Sequence, residues 1–108
     1  KKQGRPWSIG KGFDHSAPIG SITPAHAVSN IDQAEIGLRV NGVVRQSGQI
    51  AQLIWNVCET IAQLSSAWTL QAGDLIYTGT PAGVGAVVAG DVLEGSVSGL
   101  APISLKVV

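Results

Sequence analysis

Residues 35–46 read EIGLRVNGVVRQ, and this stretch carries the strongest local signal in the 108-residue chain. Ile36, Leu38 and Val40 alternate with other residues, which is the period of a β-strand with one buried face. The dipeptide Asn41-Gly42 follows, and both of its residues accept the positive φ angles of a two-residue type I′ turn. The sequence therefore predicts an antiparallel hairpin that ends at about residues 47–48.

An amphipathic helix is predicted directly after the hairpin. Apolar residues recur there at spacings of three and four, which places them along one side of a helix. We expect this helix to run from Ile50 to about Ser65 and to be the one main helix, with the Ser47 hydroxyl accepting from its first N–H groups. Cys58 is expected to pack within it as a small apolar residue.

Three further strands and one shaped loop are predicted. Residues 74–78, 92–97 and 103–107 have apolar patterns typical of short strands. Residues 78–85 read TGTPAGVG, and three glycines and a proline in eight residues exclude the interior of a strand or helix. The pattern as a whole predicts an α+β fold that is predominantly β, with a site-bearing loop at the end of a strand.

Two segments contain side chains suited to binding an anion. Lys11 stands between Gly10 and Gly12 in a predicted loop, so its ammonium can approach an anionic ligand or a developing oxyanion. Thr78 and Thr80 offer hydroxyl donors, and the backbone around Gly79 is bare. The alternative for each segment is a bend or tight turn that needs its glycines and binds nothing.

Composition excludes several classes of function. Seven basic and seven acidic residues give a net charge of zero, and the only basic cluster is Lys1, Lys2 and Arg5, so no nucleic-acid partner is expected. No apolar run reaches the roughly 18 residues that a membrane span needs, so no membrane partner is expected either. A single cysteine is compatible with a reducing compartment, and we expect a cytoplasmic protein.

The low charge also suggests that this chain is part of something larger. Only 13% of its residues are charged, about half the usual share near 25%, so much of its surface is expected to meet other protein. The chain starts with Lys1 and contains no methionine. We expect it to be the C-terminal part of a longer polypeptide.

Several short segments stand in a distinctive order: KGFD at 11–14, APIG at 17–20, VNG at 40–42, RQ at 45–46, and AGDLI and TGTPAGVG between 72 and 85. Together they cover nearly the whole chain. In this order and spacing they resemble the fumarylacetoacetate hydrolase family, above all its bacterial members that hydrolyse fumarylpyruvate in gentisate breakdown.

The resemblance implies a metal-dependent acylpyruvate hydrolase. In such enzymes water cleaves a carbon–carbon bond of a 2,4-diketo acid, here fumarylpyruvate to fumarate and pyruvate, and Mg²⁺ or Mn²⁺ holds the 2-oxo acid end. The family's fold is a mixed β-sandwich roll, and residues 1–108 would be the C-terminal part of its single catalytic domain, in a homodimer. The alternatives are an isomerase or decarboxylase of the same family, acting on a 2-hydroxydienedioate or oxaloacetate, and a non-catalytic β-domain.

The resemblance also implies roles for individual residues. Lys11 matches the family's active-site lysine. Thr80 matches the residue that binds the substrate carboxylate, with Gly79 and Thr78 shaping the loop around it. The family's metal ligands, a Glu-x-Glu pair and an Asp, lie upstream of this lysine, so we expect no metal ligand in this chain and no activity from the chain alone.

Overall fold

The structure, a computed structural model, describes Gly4 and residues 6–108. The basic cluster of Lys1, Lys2 and Arg5 therefore lies outside the described residues. Short 3₁₀ turns occur at Ala25–Ala27, Ile31–Gln33 and Ile50–Gln52. The helices and strands are α1 (Trp7–Lys11), β1 (Glu35–Val40), β2 (Val43–Gln49), α2 (Val57–Ala67), β3 (Val92–Val97) and β4 (Ile103–Lys106).

The four strands form one antiparallel sheet in the order β2-β1-β3-β4. The predicted hairpin is confirmed as its first two strands, with φ angles of 51° at Asn41 and 77° at Gly42. β2 runs on to Gln49, beyond the predicted end, because residues 47–49 still pair with β1. The α+β class with a predominant sheet is confirmed.

A β-bulge interrupts the hairpin in the middle of β2. Leu38 pairs with Gln46, whereas the next residue, Arg39, pairs with Val44. Arg45 is therefore the extra residue on the bulged strand. A bulge bends its strand and turns the neighbouring side chains in a new direction, and here it lies directly before Gln46.

The main helix begins later than the sequence predicted. Residues 50–52 form a separate 3₁₀ turn, closed where the Gln49 N–H donates to the Gln52 side chain at 2.9 Å. α2 starts only after Asn56, whose side chain accepts from the Glu59 N–H at 2.9 Å while the Glu59 carboxylate accepts from the Asn56 N–H. This capping box satisfies the first free N–H groups, so Asn56 rather than Ser47 caps the helix.

Three other expectations are corrected. Residues 74–78 do not form a strand, because no other strand in the described part of the chain pairs with their backbone. The backbone hydrogen bond seen at this segment is the turn bond from the Asp74 N–H to the Gln71 carbonyl. Cys58 is exposed rather than packed. The last strand ends one residue early, at Lys106.

The described residues bury little apolar surface among themselves. Among residues 4 and 6–108 only Ala34 and Val40 are buried, and Ile54 is 97% exposed. A folded monomer of this mass is expected to expose about 5,700 Å², whereas this chain exposes 8871 Å². Among the described helices, none has both the length and the apolar character of a membrane span.

Candidate functional site

The loop of residues 78–85, called the strap below, lies against the hairpin. Gly79 has a φ of 107° and Gly83 a φ of 101°, values that favour glycine because a Cβ is strained there. The strap borders a cavity of about 620 Å³, whose other walls come from the hairpin and from residues 49–55. Apolar side chains dominate those walls, including Leu53, Ile54, Trp55 and Tyr77.

Gln46 fastens the strap to β2. Its Nε2 donates to Thr80 Oγ1 at 2.8 Å and to the Pro81 carbonyl oxygen at 2.7 Å. A Cβ added at Gly48 would lie 3.2 Å from the Pro81 side chain, and one at Gly83 would overlap the Arg45 carbonyl oxygen. At Gly83 the strap therefore packs directly against the backbone of the bulge, which only glycine permits, whereas Gly48 makes a close contact with the Pro81 side chain.

A second cavity, of about 340 Å³, lies along the same strap. Gly79, Thr80 and Pro81 line both cavities, so this tripeptide forms a wall between them. Thr78 lines only the larger one. The structure thus brings all three predicted strap residues, Thr78, Gly79 and Thr80, to the rim of one cavity.

Lys11 is placed differently from the sequence prediction. It is the last residue of α1 rather than part of an open loop, since a single helical turn closes where the Gly12 N–H donates to the Ser8 carbonyl at 2.7 Å. Its Nζ lies 5.3 Å from the centre of the Trp7 ring, within cation–π range. Lys11 lines neither cavity, so the described residues do not bring it into one pocket with Thr80.

Tyr77 links the strap region to the segment that follows α1. Its hydroxyl donates to the Ala17 carbonyl at 3.1 Å, with the Pro18 carbonyl at 3.5 Å. Sequence reasoning gave no role to Tyr77 or Gln46. No local pattern singles out Tyr77. Gln46 lies in the RQ segment at 45–46, one of the segments that carry the family resemblance, but the resemblance implied no role for it.

The described residues do not form a metal site. No group of three or more His, Cys, Asp or Glu side chains comes together within Gly4 and residues 6–108. Lysine and threonine are poor ligands for Mg²⁺ or Mn²⁺, which prefer carboxylate oxygens. Asp74 and Asp91 are engaged in turns, because they accept from the backbone N–H groups of Gln71 and Val88 at 2.8 and 2.9 Å.

Comparison with known proteins settles the family. The family model described as fumarylacetoacetate (FAA) hydrolase C-terminal matches residues 1–108. The chain belongs to the fumarylacetoacetate hydrolase family. Several of its matched members are named as enzymes, and a solved member of the family has the same fold as this chain.

Three relatives illustrate the range of the fumarylacetoacetate hydrolase family. Fumarylpyruvate hydrolase of Ralstonia sp is 51% identical over 107 residues, which cover 99% of this chain and 55% of that protein. The human mitochondrial oxaloacetate tautomerase FAHD1 is 36% identical over 99% of this chain and 48% of its own length.

The third relative is a solved structure, fumarylpyruvate hydrolase from Pseudomonas aeruginosa in complex with Mn²⁺ and pyruvate. It superposes with a TM-score of 0.93 at 50% identity, over 99% of this chain and 46% of that one. This chain therefore spans about half the length of each of these three relatives.

Proposed function

We propose that this chain is the C-terminal part of an acylpyruvate hydrolase whose substrate is fumarylpyruvate. The observation that carries the proposal is Thr80, which stands in the wall between two cavities with its hydroxyl oxygen held by Gln46. The 51% identity to the Ralstonia fumarylpyruvate hydrolase supports the choice of substrate. In this proposal water converts fumarylpyruvate to fumarate and pyruvate, in the breakdown of gentisate.

The strap would bind the carboxylate of the 2-oxo acid. The Thr80 hydroxyl donates a hydrogen bond to it, and Gly79, which has no side chain, lets the carboxylate come close to the backbone. Thr78 contributes a second hydroxyl at the rim of the larger cavity. Charge-assisted hydrogen bonds of this kind are stronger than neutral ones and also orient the bound group.

Lys11 would supply positive charge to the reacting end of the substrate. Its ammonium lies on the Trp7 ring, a contact worth about 0.5–1 kcal/mol at an exposed site. An interaction this weak leaves the side chain able to turn toward a bound anion.

The proposal includes a divalent cation, but the described residues of this chain would not be its ligands. The relative from P. aeruginosa was solved with Mn²⁺ and pyruvate, and we propose Mg²⁺ or Mn²⁺ here. A bound cation of this type stabilises negative charge on an oxo acid. Because the described side chains do not fit such an ion, its ligands would come from outside residues 1–108.

The exposed apolar surface supports the view that residues 1–108 are part of one larger domain. Side chains such as Ile54 and Val84 are 97% and 77% exposed, and water contact of that extent is unfavourable for a folded protein. Further protein would cover them, from the same polypeptide or from a second copy. The homodimer and the cytoplasmic location stay predictions.

An activity screen of the full-length protein tests the function. Fumarylpyruvate, acetylpyruvate and oxaloacetate would each be offered with Mg²⁺ and with Mn²⁺. We expect the highest kcat/KM on fumarylpyruvate, with release of fumarate and pyruvate. Keto–enol conversion of oxaloacetate without hydrolysis of either acylpyruvate would favour the tautomerase alternative, to which the 36% identity with human FAHD1 lends support. Inactivity on all three would contradict both.

A further inference from the structure

We propose that Gln46 is a positioning residue that directs the proton of the Thr80 hydroxyl toward the substrate carboxylate. This inference rests on the proposed function, since it assigns a task within the same binding site. Gln46 would touch no substrate atom. It would act by deciding which hydrogen-bonding role Thr80 plays.

The hydrogen-bond partners settle the direction of each bond. The Pro81 carbonyl oxygen can only accept, so the Gln46 atom 2.7 Å from it is the amide nitrogen. The same nitrogen lies 2.8 Å from Thr80 Oγ1 and uses its other hydrogen there. Thr80 is therefore the acceptor in that bond, and its own proton is left for a different acceptor.

No other hydrogen bond of the Thr80 hydroxyl is seen within the part of the chain that the structure describes. A hydroxyl that accepts one bond and has a free proton is a donor. A carboxylate, which only accepts when ionised, complements it. If Thr80 instead donated to Gln46, it would present lone pairs to the substrate and would repel a carboxylate.

The surroundings of Gln46 hold this arrangement in place. Gln46 lies on β2 and is half-buried, so its side chain is restrained by a strand of the sheet. The bulge at Arg45 sets the direction of Gln46, and the same bulge receives the backbone of Gly83. The bulge therefore positions both the donor, Gln46, and the strap that carries its acceptor, Thr80.

A positioning role predicts weaker binding rather than slower chemistry. Gln46→Leu removes the donor at similar volume, and we expect about a tenfold rise in KM for fumarylpyruvate, with kcat within about twofold. Gln46→Glu keeps the shape but replaces the amide donor with an acceptor. Because a carboxylate there would attract the Thr80 proton, we expect Gln46→Glu to weaken binding at least as much as Gln46→Leu.

The test is a double-mutant cycle in the full-length, metal-loaded enzyme. Dissociation constants for pyruvate would be measured by calorimetry for the parent, Gln46→Leu, Thr80→Val and the double variant. Gln63→Leu, on the exposed side of α2, is the matched control and should leave pyruvate binding unchanged. We expect Gln46→Leu to weaken pyruvate binding in the parent but to have almost no effect in the Thr80→Val background, since the hydroxyl it directs is then missing.

The outcomes separate the two proposals. If Thr80→Val binds pyruvate as tightly as the parent, the carboxylate-binding role of Thr80 fails. If Thr80→Val weakens binding but Gln46→Leu does not, or weakens it equally in both backgrounds, the inference about Gln46 alone is overturned. Should Gln46→Leu not fold, the isosteric Gln46→Glu replaces it in the cycle, and unchanged pyruvate binding in that variant would overturn the inference.

Discussion

Asn41 binds Asp91, which lies 50 residues later in the sequence, and so joins the hairpin turn to the start of β3. Its Nδ2 donates to Asp91 Oδ1 at 2.8 Å, and its Oδ1 accepts from the Val92 N–H at 2.9 Å. The Asn41 N–H donates to the Val92 carbonyl at 2.8 Å. One residue therefore provides the positive φ of the turn and a side-chain link to β3.

Replacing Asn41 should separate these two roles. Asn41→Gly keeps a residue that accepts the φ of 51° but removes both side-chain hydrogen bonds, so we expect the free energy of unfolding to fall by about 1–2 kcal/mol. Asn41→Asp also tolerates the turn but faces Asp91 with a second carboxylate, and we expect a larger loss at neutral pH. Urea unfolding of the full-length protein measures both, and equal stability of Asn41→Gly and the parent would contradict the structural role of the side chain.

Stability should depend on the ionisation of Asp91. Hydrogen bonds from the Val88 backbone and from the Asn41 side chain hold the pKa of Asp91 below its ordinary value of 3.8. The folded state therefore favours the carboxylate, and this contribution is fully present above the unfolded pKa and is lost as pH falls through the lower folded pKa. We expect Asp91→Asn to be less stable than the parent at neutral pH, with the difference shrinking below about pH 4. If the stability difference between Asp91→Asn and the parent stayed constant down to the lowest pH measured, the Asp91 carboxylate would not stabilise the folded state in this way.

Gly83 should be intolerant of a side chain while Gly85 tolerates one. Alanine at Gly83 would overlap the Arg45 carbonyl and adopt a φ of 101°, whereas a Cβ at Gly85 meets nothing within 4 Å. A non-glycine residue in such a conformation costs on the order of 1–3 kcal/mol. We expect Gly83→Ala to raise the KM of the full-length enzyme several-fold and to lower its Tm, with Gly85→Ala close to the parent in both. Similar values for the two variants would show that the strap does not need this close contact.

Lys11 should matter for turnover and not for folding. α1 has no buried residue, so Lys11→Ala removes little packing. Because the proposed ammonium stabilises charge that develops in the reaction, we expect kcat/KM on fumarylpyruvate to fall by about 10²- to 10³-fold with an unchanged Tm. Lys106→Ala, which removes an exposed lysine from β4, is the control and should be silent. An unaltered kcat/KM in Lys11→Ala would exclude the catalytic role.

Local sequence signals predicted the parts of the fold that depend on neighbouring residues. Asn41-Gly42 encodes a turn by backbone preference alone, and the alternation around it gives the strand pairing. The start of α2 was predicted seven residues early because the apolar spacing continues from Ile50 through a separate 3₁₀ turn. Periodicity does not detect a break between two helical segments, whereas the Asn56–Glu59 capping box does.

The sequence predicted the strap as a shaped loop, with Thr78, Gly79 and Thr80 as candidate substrate-binding residues. It did not predict that the strap is attached to β2 through Gln46. The bulge at Arg45 arises from the pairing between two strands, and no local pattern in β2 predicts it. Tyr77 and its contact with Ala17 join residues 60 positions apart, so no window of sequence contains both. The expected strand at 74–78 depends in the same way on a partner strand, which a segment cannot supply for itself.

By itself, the sequence determined the hairpin, the family and the residue types available to bind an anion, because turn preference, apolar period and motif order are all local or additive properties. Only the tertiary structure decided where those residues lie. It placed Thr80 between two cavities and gave Gln46 the donor's part in their hydrogen bond. It also placed the Lys11 ammonium over the Trp7 ring rather than in the cavity with Thr80. These outcomes depend on which distant segments pack together, and packing is set by the whole fold rather than by any one stretch of chain.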